Sequence, residues 1–201
     1  MDLIVLAADR TMEHSVSAIL SRWNSVGMRE ISFDSISHPQ HDGGVRRTAF
    51  QYLRPYLRSH QYALVCLDFE GCGSHGSCED VRSEIQALLD SNGWKDRSRV
   101  VIFEPELEIW LWVDSPTVAT ALGWRSLESL RRWLTERGFL NPGVTKPARP
   151  KEAVESALRK ANKAMSTAVY LEVARNAGFA NCVDNEFQGM LTALRMWFPP
   201  C

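Results

Sequence analysis

Tyr62-Ala63-Leu64-Val65-Cys66-Leu67-Asp68-Phe69-Glu70-Gly71 is the stretch that decides the fold. Its first six residues do not alternate apolar with polar, as a strand with one wet face would. A continuous short apolar run is what a strand covered on both faces needs. The run ends in two acids and a glycine, which marks a turn. The same grammar recurs at Leu3 to Ala8, followed by Asp9-Arg10-Thr11-Met12-Glu13, and at Arg99 to Phe103, followed by Glu104-Pro105-Glu106-Leu107-Glu108. Met28 to Ile36 alternates, with Ile31 and Phe33 inward, and reads as a further strand. Helical spacing fills the gaps: Thr11 to Trp23, Val45 to His60 with Pro55 expected to kink or end it, and Glu79 to Leu89. His38 to Gly44 and Cys72 to Ser77 read as loops from their turn residues. Strands alternating with helices imply right-handed crossovers. The expected fold is therefore α/β, a mostly parallel sheet of about four strands flanked by helices.

After Phe103 the strand signals fade. Glu106 to Val113, Pro116 to Leu122, Ser126 to Arg137, Lys151 to Lys163, Thr167 to Ala177 and Asp184 to Trp197 all read as helix, with a Pro/Gly-bearing loop at Gly138 to Pro150. The expected organisation is an α/β core over 1–114 and a helical extension over 115–201 packed on it. The apolar tail Met196-Trp197-Phe198-Pro199-Pro200-Cys201 is expected to pack onto the body or onto a partner.

Composition bounds the function. With 201 residues and 45% hydrophobic side chains, the chain can bury a substantial core, and 23% charged residues exclude a disordered polymer. A net charge of −1 excludes a surface that is basic throughout, so any nucleic-acid contact must be local. No run is long and apolar enough for a membrane span, and Met1-Asp2-Leu3-Ile4-Val5-Leu6 lacks the basic start of an export signal. The five cysteines, odd in number, then read as reduced thiols of a cytoplasmic protein.

In parallel α/β sheets ligands bind beyond the carboxyl ends of the strands. The first strand is followed by Asp9 and Glu13, the third by Asp68 and Glu70, and the fourth by Glu104, Glu106 and Glu108. Three strand ends thus deliver carboxylates to one rim. Clustered carboxylates repel unless a cation or a shared proton compensates. Hard oxygen donors suit Mg²⁺ or Mn²⁺, which bind one or two carboxylates together with waters and substrate phosphate. Asp68 and Glu70, two apart on an extended segment, are expected to face one side and share an ion.

A strand ending in an acid, Glu13 opening a helix, and a later strand ending in the Asp68-Phe69-Glu70 pair together resemble the Toprim fold of topoisomerases, primases and related nucleases. Glu108-Ile109-Trp110-Leu111 followed by Asp114, the helix start at Pro150-Lys151 and the late Phe187 resemble the small stand-alone Toprim-like proteins of bacterial anti-phage islands. A component of a methylation-associated defence system is one identity that this resemblance allows. It implies a catalytic acid at Glu13 or Asp9 and metal ligands at Asp68, Glu70 and Glu108. It also implies metal-dependent hydrolysis of phosphodiester bonds, with nucleic acid and other defence-system proteins as partners. Two departures stand out: Asp9-Arg10 replaces the family's Glu-Gly, and Glu70 replaces an aspartate. They leave open a second identity, a catalytically inactive scaffold or partner-binding subunit of the same fold.

Charge is uneven along the chain. Residues 63–114 hold eleven acids against four Lys and Arg, and residues 125–163 hold ten Lys and Arg against four acids. Arg131, Arg132, Lys146, Arg149 and Lys151 are the expected phosphate contacts. His14 and His75 lie near strand ends and are candidate proton shuttles. Cys72, His75 and Cys78 offer three zinc-type ligands without a clear fourth, which favours a glycine-rich loop over a zinc site. Trp110, Trp112, Trp124, Trp133 and Trp197 are candidates for base stacking, although their spacing among aliphatic residues favours core positions for most.

Overall fold

The computed structural model describes residues 1–179, 182 and 184–200; Cys201 of the apolar tail lies outside the described residues. The strands are β1 (Leu3–Ala7), β2 (Phe33–Ser37), β3 (Tyr62–Asp68) and β4 (Ser98–Phe103). Among the described residues they form one sheet in the order β2-β1-β3-β4, every pair parallel. The register sets Ala7 beside Cys66, and Asp68 beside Phe103. β1 is buried throughout, as are β3 from Ala63 to Leu67 and β4 from Val100 to Phe103, while the edge strand β2 is half exposed. Continuous apolar runs thus became strands covered on both faces, and each fully buried leucine such as Leu64 contributes about 1.5–3 kcal/mol. β2 is shorter than its alternation implies. Asp2 holds the preceding connector, accepting from the Ser32 backbone N–H (2.8 Å) and from Arg29 (2.7 Å).

The helices of the first half are α1 (Arg10–Leu20), the short α2 (Trp23–Val26), α3 (His41–Leu53) and α4 (Cys78–Leu89). α3 and α4 pack together on one face, and right-handed crossovers place α1 on the other. α3 starts within the segment that turn chemistry marks as loop. Gly44 explains how a helix tolerates glycine there: a Cβ would lie 2.3 Å from the His38 ring. Pro55 stops α3, which gives way to a single 3-10 turn at Arg54–Tyr56. α4 opens on a capping box in which Ser77 and Asp80 exchange side-chain and backbone bonds.

Glu106 to Val113 does not form the expected helix. It contains a 3-10 turn, Leu107–Trp110, in a segment buried from Leu107 to Val113. Beyond the turn's own bonds, the Leu107 N–H donates to Asp68 (2.9 Å) and the Trp112 indole to the Pro150 carbonyl (3.2 Å). Then come α5 (Pro116–Ala121), α6 (Leu127–Glu136), α7 (Pro150–Lys160), α8 (Thr167–Asn176) and α9 (Asn185–Trp197). α8 packs on α1, α9 on β4, and α7 on the Leu107–Trp110 turn. Buried residues of both halves form one contiguous cluster. The tail turns inward at Phe198, which is fully buried, while Trp197 stacks on Tyr62 at 4.6 Å. No helix among the described residues is long and apolar enough to cross a membrane.

Candidate functional site

The sheet order reverses direction between β1 and β3, so the crevice beyond their carboxyl ends is where an open α/β sheet binds ligands. Asp9 follows β1 and caps α1, its Oδ1 accepting the Met12 N–H (2.8 Å). Asp68 is the last residue of β3, and its Oδ1 accepts the Leu107 N–H (2.9 Å). Asp42, in the first turn of α3, reaches across so that its Oδ1 accepts the backbone N–H of Asp68 (2.7 Å). Gly71 makes room for this approach, because a Cβ there would fall 2.3 Å from Asp42 Oδ2. Beside Asp42, His41 takes φ 51°, a left-handed conformation that costs on the order of 1 kcal/mol and recurs where geometry serves a site. Glu108, only 5% exposed, takes a hydrogen bond from the Tyr170 hydroxyl of α8.

These carboxylates press on one another. Burial, then Asp42, Glu108 and Asp9, push the Asp68 carboxyl up to about 9, against the Leu107 N–H that favours its charge. Burial also raises Asp42, with Asp9 adding to it and the Asp68 N–H opposing. Glu106 is raised by burial and by Glu108, with Glu70 adding to it and Lys151 opposing. The Lys151 amine lies 3.2 Å from Glu106. Burial pulls that amine down, but Glu106, Glu108 and Asp68 outweigh it and leave it raised. Burial and its acidic neighbours thus disfavour the charged form of Asp68, and a shared proton or a cation would offset that crowding.

Hard oxygen donors with neutral hydrogen-bond support suit Mg²⁺ or Mn²⁺, and Asp9, Asp42, Asp68 and Glu108 are such donors. Among the described residues no three His, Cys, Asp or Glu side chains are placed so as to enclose one ion. Mg²⁺ often takes only one or two carboxylates, with water and phosphate oxygens completing its shell.

Of the residues read from the sequence, Asp9 and Glu108 lie near enough to Asp68 to raise its carboxyl. Glu13 does not join them. It leans to the β2 side, where its Oε1 accepts from the Ser35 hydroxyl (2.9 Å). Glu70 is exposed in the turn after β3 and acts on Glu106 rather than Asp68. The two-residue alternation fails because the strand ends at Asp68 and the Glu70 N–H turns to the Pro105 carbonyl (3.1 Å). His14 and His75 are exposed, and Cys72 is buried apart from them in the core.

Each expected phosphate contact is already ion-paired: Arg131 with Asp114, Arg132 with Glu128, Lys146 with Asp184, Arg149 with Glu152 and Lys151 with Glu106. The exposed pairs are worth about 0–1 kcal/mol and exchange readily for another anion. Lys146 and Asp184 are more enclosed, at 15% and 16% exposure.

Asp42, Lys151 as the cation of the cluster, and Tyr170 are the residues that strand-end reasoning missed. Asp42 carries the same signal as the others: it follows the second strand, and the question put to the first, third and fourth strands also finds it. No protein-family model, curated protein or solved structure matches this chain.

Proposed function

We propose that this chain is a Toprim-like component of a prokaryotic anti-phage defence system that hydrolyses phosphodiester bonds in nucleic acid with Mg²⁺ or Mn²⁺. The observation that supports the reading is the bond from the Asp68 N–H to Asp42 at the β1–β3 switch, with Asp42, Glu108 and Asp9 all raising the Asp68 carboxyl. The motif resemblance, carried partly by the same Asp68 and Glu108, supports it. A divalent ion held there would supply a polarised water and offset charge on the phosphoryl group.

Asp42 and Asp68 would hold the ion, with Asp9 and Glu108 completing the negative field. Asp9 uses one oxygen in the helix cap and keeps the other to accept a proton from the attacking water. Lys151, exchanging Glu106 for a substrate phosphate, would orient the strand. Tyr170 fixes Glu108 and, with the apolar residues around it, keeps solvent from that side.

The alternative is an inactive scaffold or partner-binding subunit. The displaced Glu13 and Glu70, and the ion pairing of all five basic candidates, favour it. Purified protein incubated with plasmid, single-stranded DNA or RNA plus Mg²⁺ or Mn²⁺ separates the two. The proposal expects metal-dependent strand cleavage that disappears in Asp42→Asn/Asp68→Asn and survives in Glu70→Gln. Equal inertness of all three proteins, each folded, rejects hydrolysis in favour of the scaffold. Release of inorganic phosphate from nucleotides without strand cleavage assigns the site a smaller substrate.

A further inference from the structure

Trp124, Trp133 and Phe139 form a row of rings on the outside of the helical half. Trp124 and Trp133 have centroids 5.2 Å apart, and Trp133 and Phe139 lie nearly parallel at 6.2 Å. All three are partly exposed, whereas Trp94, Trp110 and Trp112 are buried. The Trp124 indole N–H is held by the Ala157 carbonyl of α7 (3.2 Å), which orients the ring. The Arg137 guanidinium sits 5.8 Å from the Trp133 centroid.

Two shallow grooves flank the row and meet at Lys160. One is lined by Trp133, Arg137, Phe139, Ser156, Arg159 and Lys160, the other by Trp124, Arg125, Ser126, Ser129 and Lys160 among others. Neither lining contains a carboxylate among the described residues. Among the described residues Arg125, Arg137, Arg159 and Lys160 form no ion pair, unlike the five basic residues singled out from sequence.

We propose that this face binds single-stranded nucleic acid, its bases stacking on Trp133 and its neighbours and its phosphates meeting Arg137, Arg159 and Lys160. Rings with cations and no acid in the lining match an extended strand that shows both base faces and backbone charge. A duplex hides its base faces, and an acidic peptide satisfies the cations but not the rings. The inference shares with the proposed function only the class of substrate; the groove is distinct from the carboxylate cluster and its binding requires no metal. α7 links the two places. Lys151 at its start meets Glu106, and Lys160 at its end lies about 14 Å farther along the axis, at 1.5 Å per residue.

Fluorescence anisotropy with labelled dT and U oligomers of about 20 nucleotides, in EDTA, tests this. The wild-type chain is expected to bind and to weaken steeply between about 50 and 200 mM salt. Arg159→Glu/Lys160→Glu, both exposed, should lose at least about ten-fold and flatten the salt dependence. Trp133→Leu keeps the apolar packing and should lose about ten-fold with its salt slope unchanged. The tighter of the two oligomers identifies the sugar. No binding by the wild-type chain at low salt overturns the proposal. So does wild-type affinity in either folded variant, or equal affinity for a duplex or a poly-glutamate peptide. Glu70→Gln, outside both the groove and the carboxylate cluster, should bind as wild type does. Binding without cleavage rejects hydrolysis alone, and cleavage with groove variants binding normally rejects the groove alone.

Discussion

The Asp42 carboxylate accepts the backbone N–H of Asp68 at 2.7 Å, tying the first turn of α3 to the last residue of β3. One bond therefore places two carboxylates at the switch between β1 and β3 and satisfies a backbone donor where the strand ends. Asp42→Asn retains an acceptor oxygen and removes a charge that raises Asp68. Asp42→Ala removes both. We expect Asp42→Ala to lose about 1–2 kcal/mol in urea unfolding and Asp42→Asn to lose much less or to gain. Equal losses from the two would show that the bond contributes nothing separable from the charge.

The pH dependence follows from Asp68. Its carboxyl titrates near 9 in the fold against an ordinary 3.8, so the folded chain keeps a proton that the unfolded chain releases across that interval. Its contribution is fully present below about pH 4 and falls by about 1.4 kcal/mol per pH unit as pH rises toward 9. Without divalent ions, thermal stability should decline from pH 5 to 8.5. Asp68→Asn, whose amide oxygen still accepts the Leu107 N–H, should flatten that decline. Mg²⁺ should raise the wild-type melting temperature at pH 8 and leave Asp68→Asn unmoved. A wild-type profile already flat over this interval contradicts the protonated state of Asp68.

Much of this was legible in the sequence because the signals were local. A strand covered on both faces is a continuous apolar run, and Leu3 to Ala7 and Ala63 to Leu67 needed no tertiary information. Helices with clear apolar spacing were equally plain: Glu79 to Leu89, Ser126 to Arg137 and Asp184 to Trp197 became α4, α6 and α9. What failed was settled at a distance. The stretch after Pro105 has helical spacing, yet the Leu107 N–H is claimed by Asp68, 39 residues away. The Gly43-Gly44 pair looks like loop until His38 is packed against Gly44. Glu70 has the right spacing from Asp68 on an extended strand, but the strand ends at Asp68, two residues before it. Ion pairing of the basic residues is likewise invisible in one dimension, apart from the local pairs Arg132 with Glu128 and Arg149 with Glu152.

Gly71 gives a test of geometry at constant charge. A Cβ at this position would lie 2.3 Å from Asp42 Oδ2 and 2.7 Å from its Cγ, so the carboxylate or the turn must move. Gly71→Ala should therefore weaken the Mg²⁺-induced thermal shift by about as much as Asp42→Asn does, while urea stability changes by only about 1 kcal/mol. The two readouts separate a displaced ligand from a damaged fold. An unchanged shift in a folded Gly71→Ala protein would place the ion away from Asp42.

Tyr170 tests whether the helical half completes the site. Its side chain comes from α8, which packs on α1, and its hydroxyl donates to Glu108 in a place almost closed to water. Burial and the neighbouring Glu108 hold the phenol far above its usual range, so it remains a donor at every accessible pH. Tyr170→Phe keeps the ring and leaves a buried carboxylate oxygen without that donor, which should cost about 1.5–3 kcal/mol. Glu108→Gln removes the charge that makes the loss severe. In the double variant, the effect of Tyr170→Phe should shrink to about 1 kcal/mol, and a double-mutant cycle in urea reads the difference. If the two substitutions add without coupling, Tyr170 serves packing alone, and the carboxylate at Glu108 is held by the Leu107–Trp110 turn rather than by the helices that close over it.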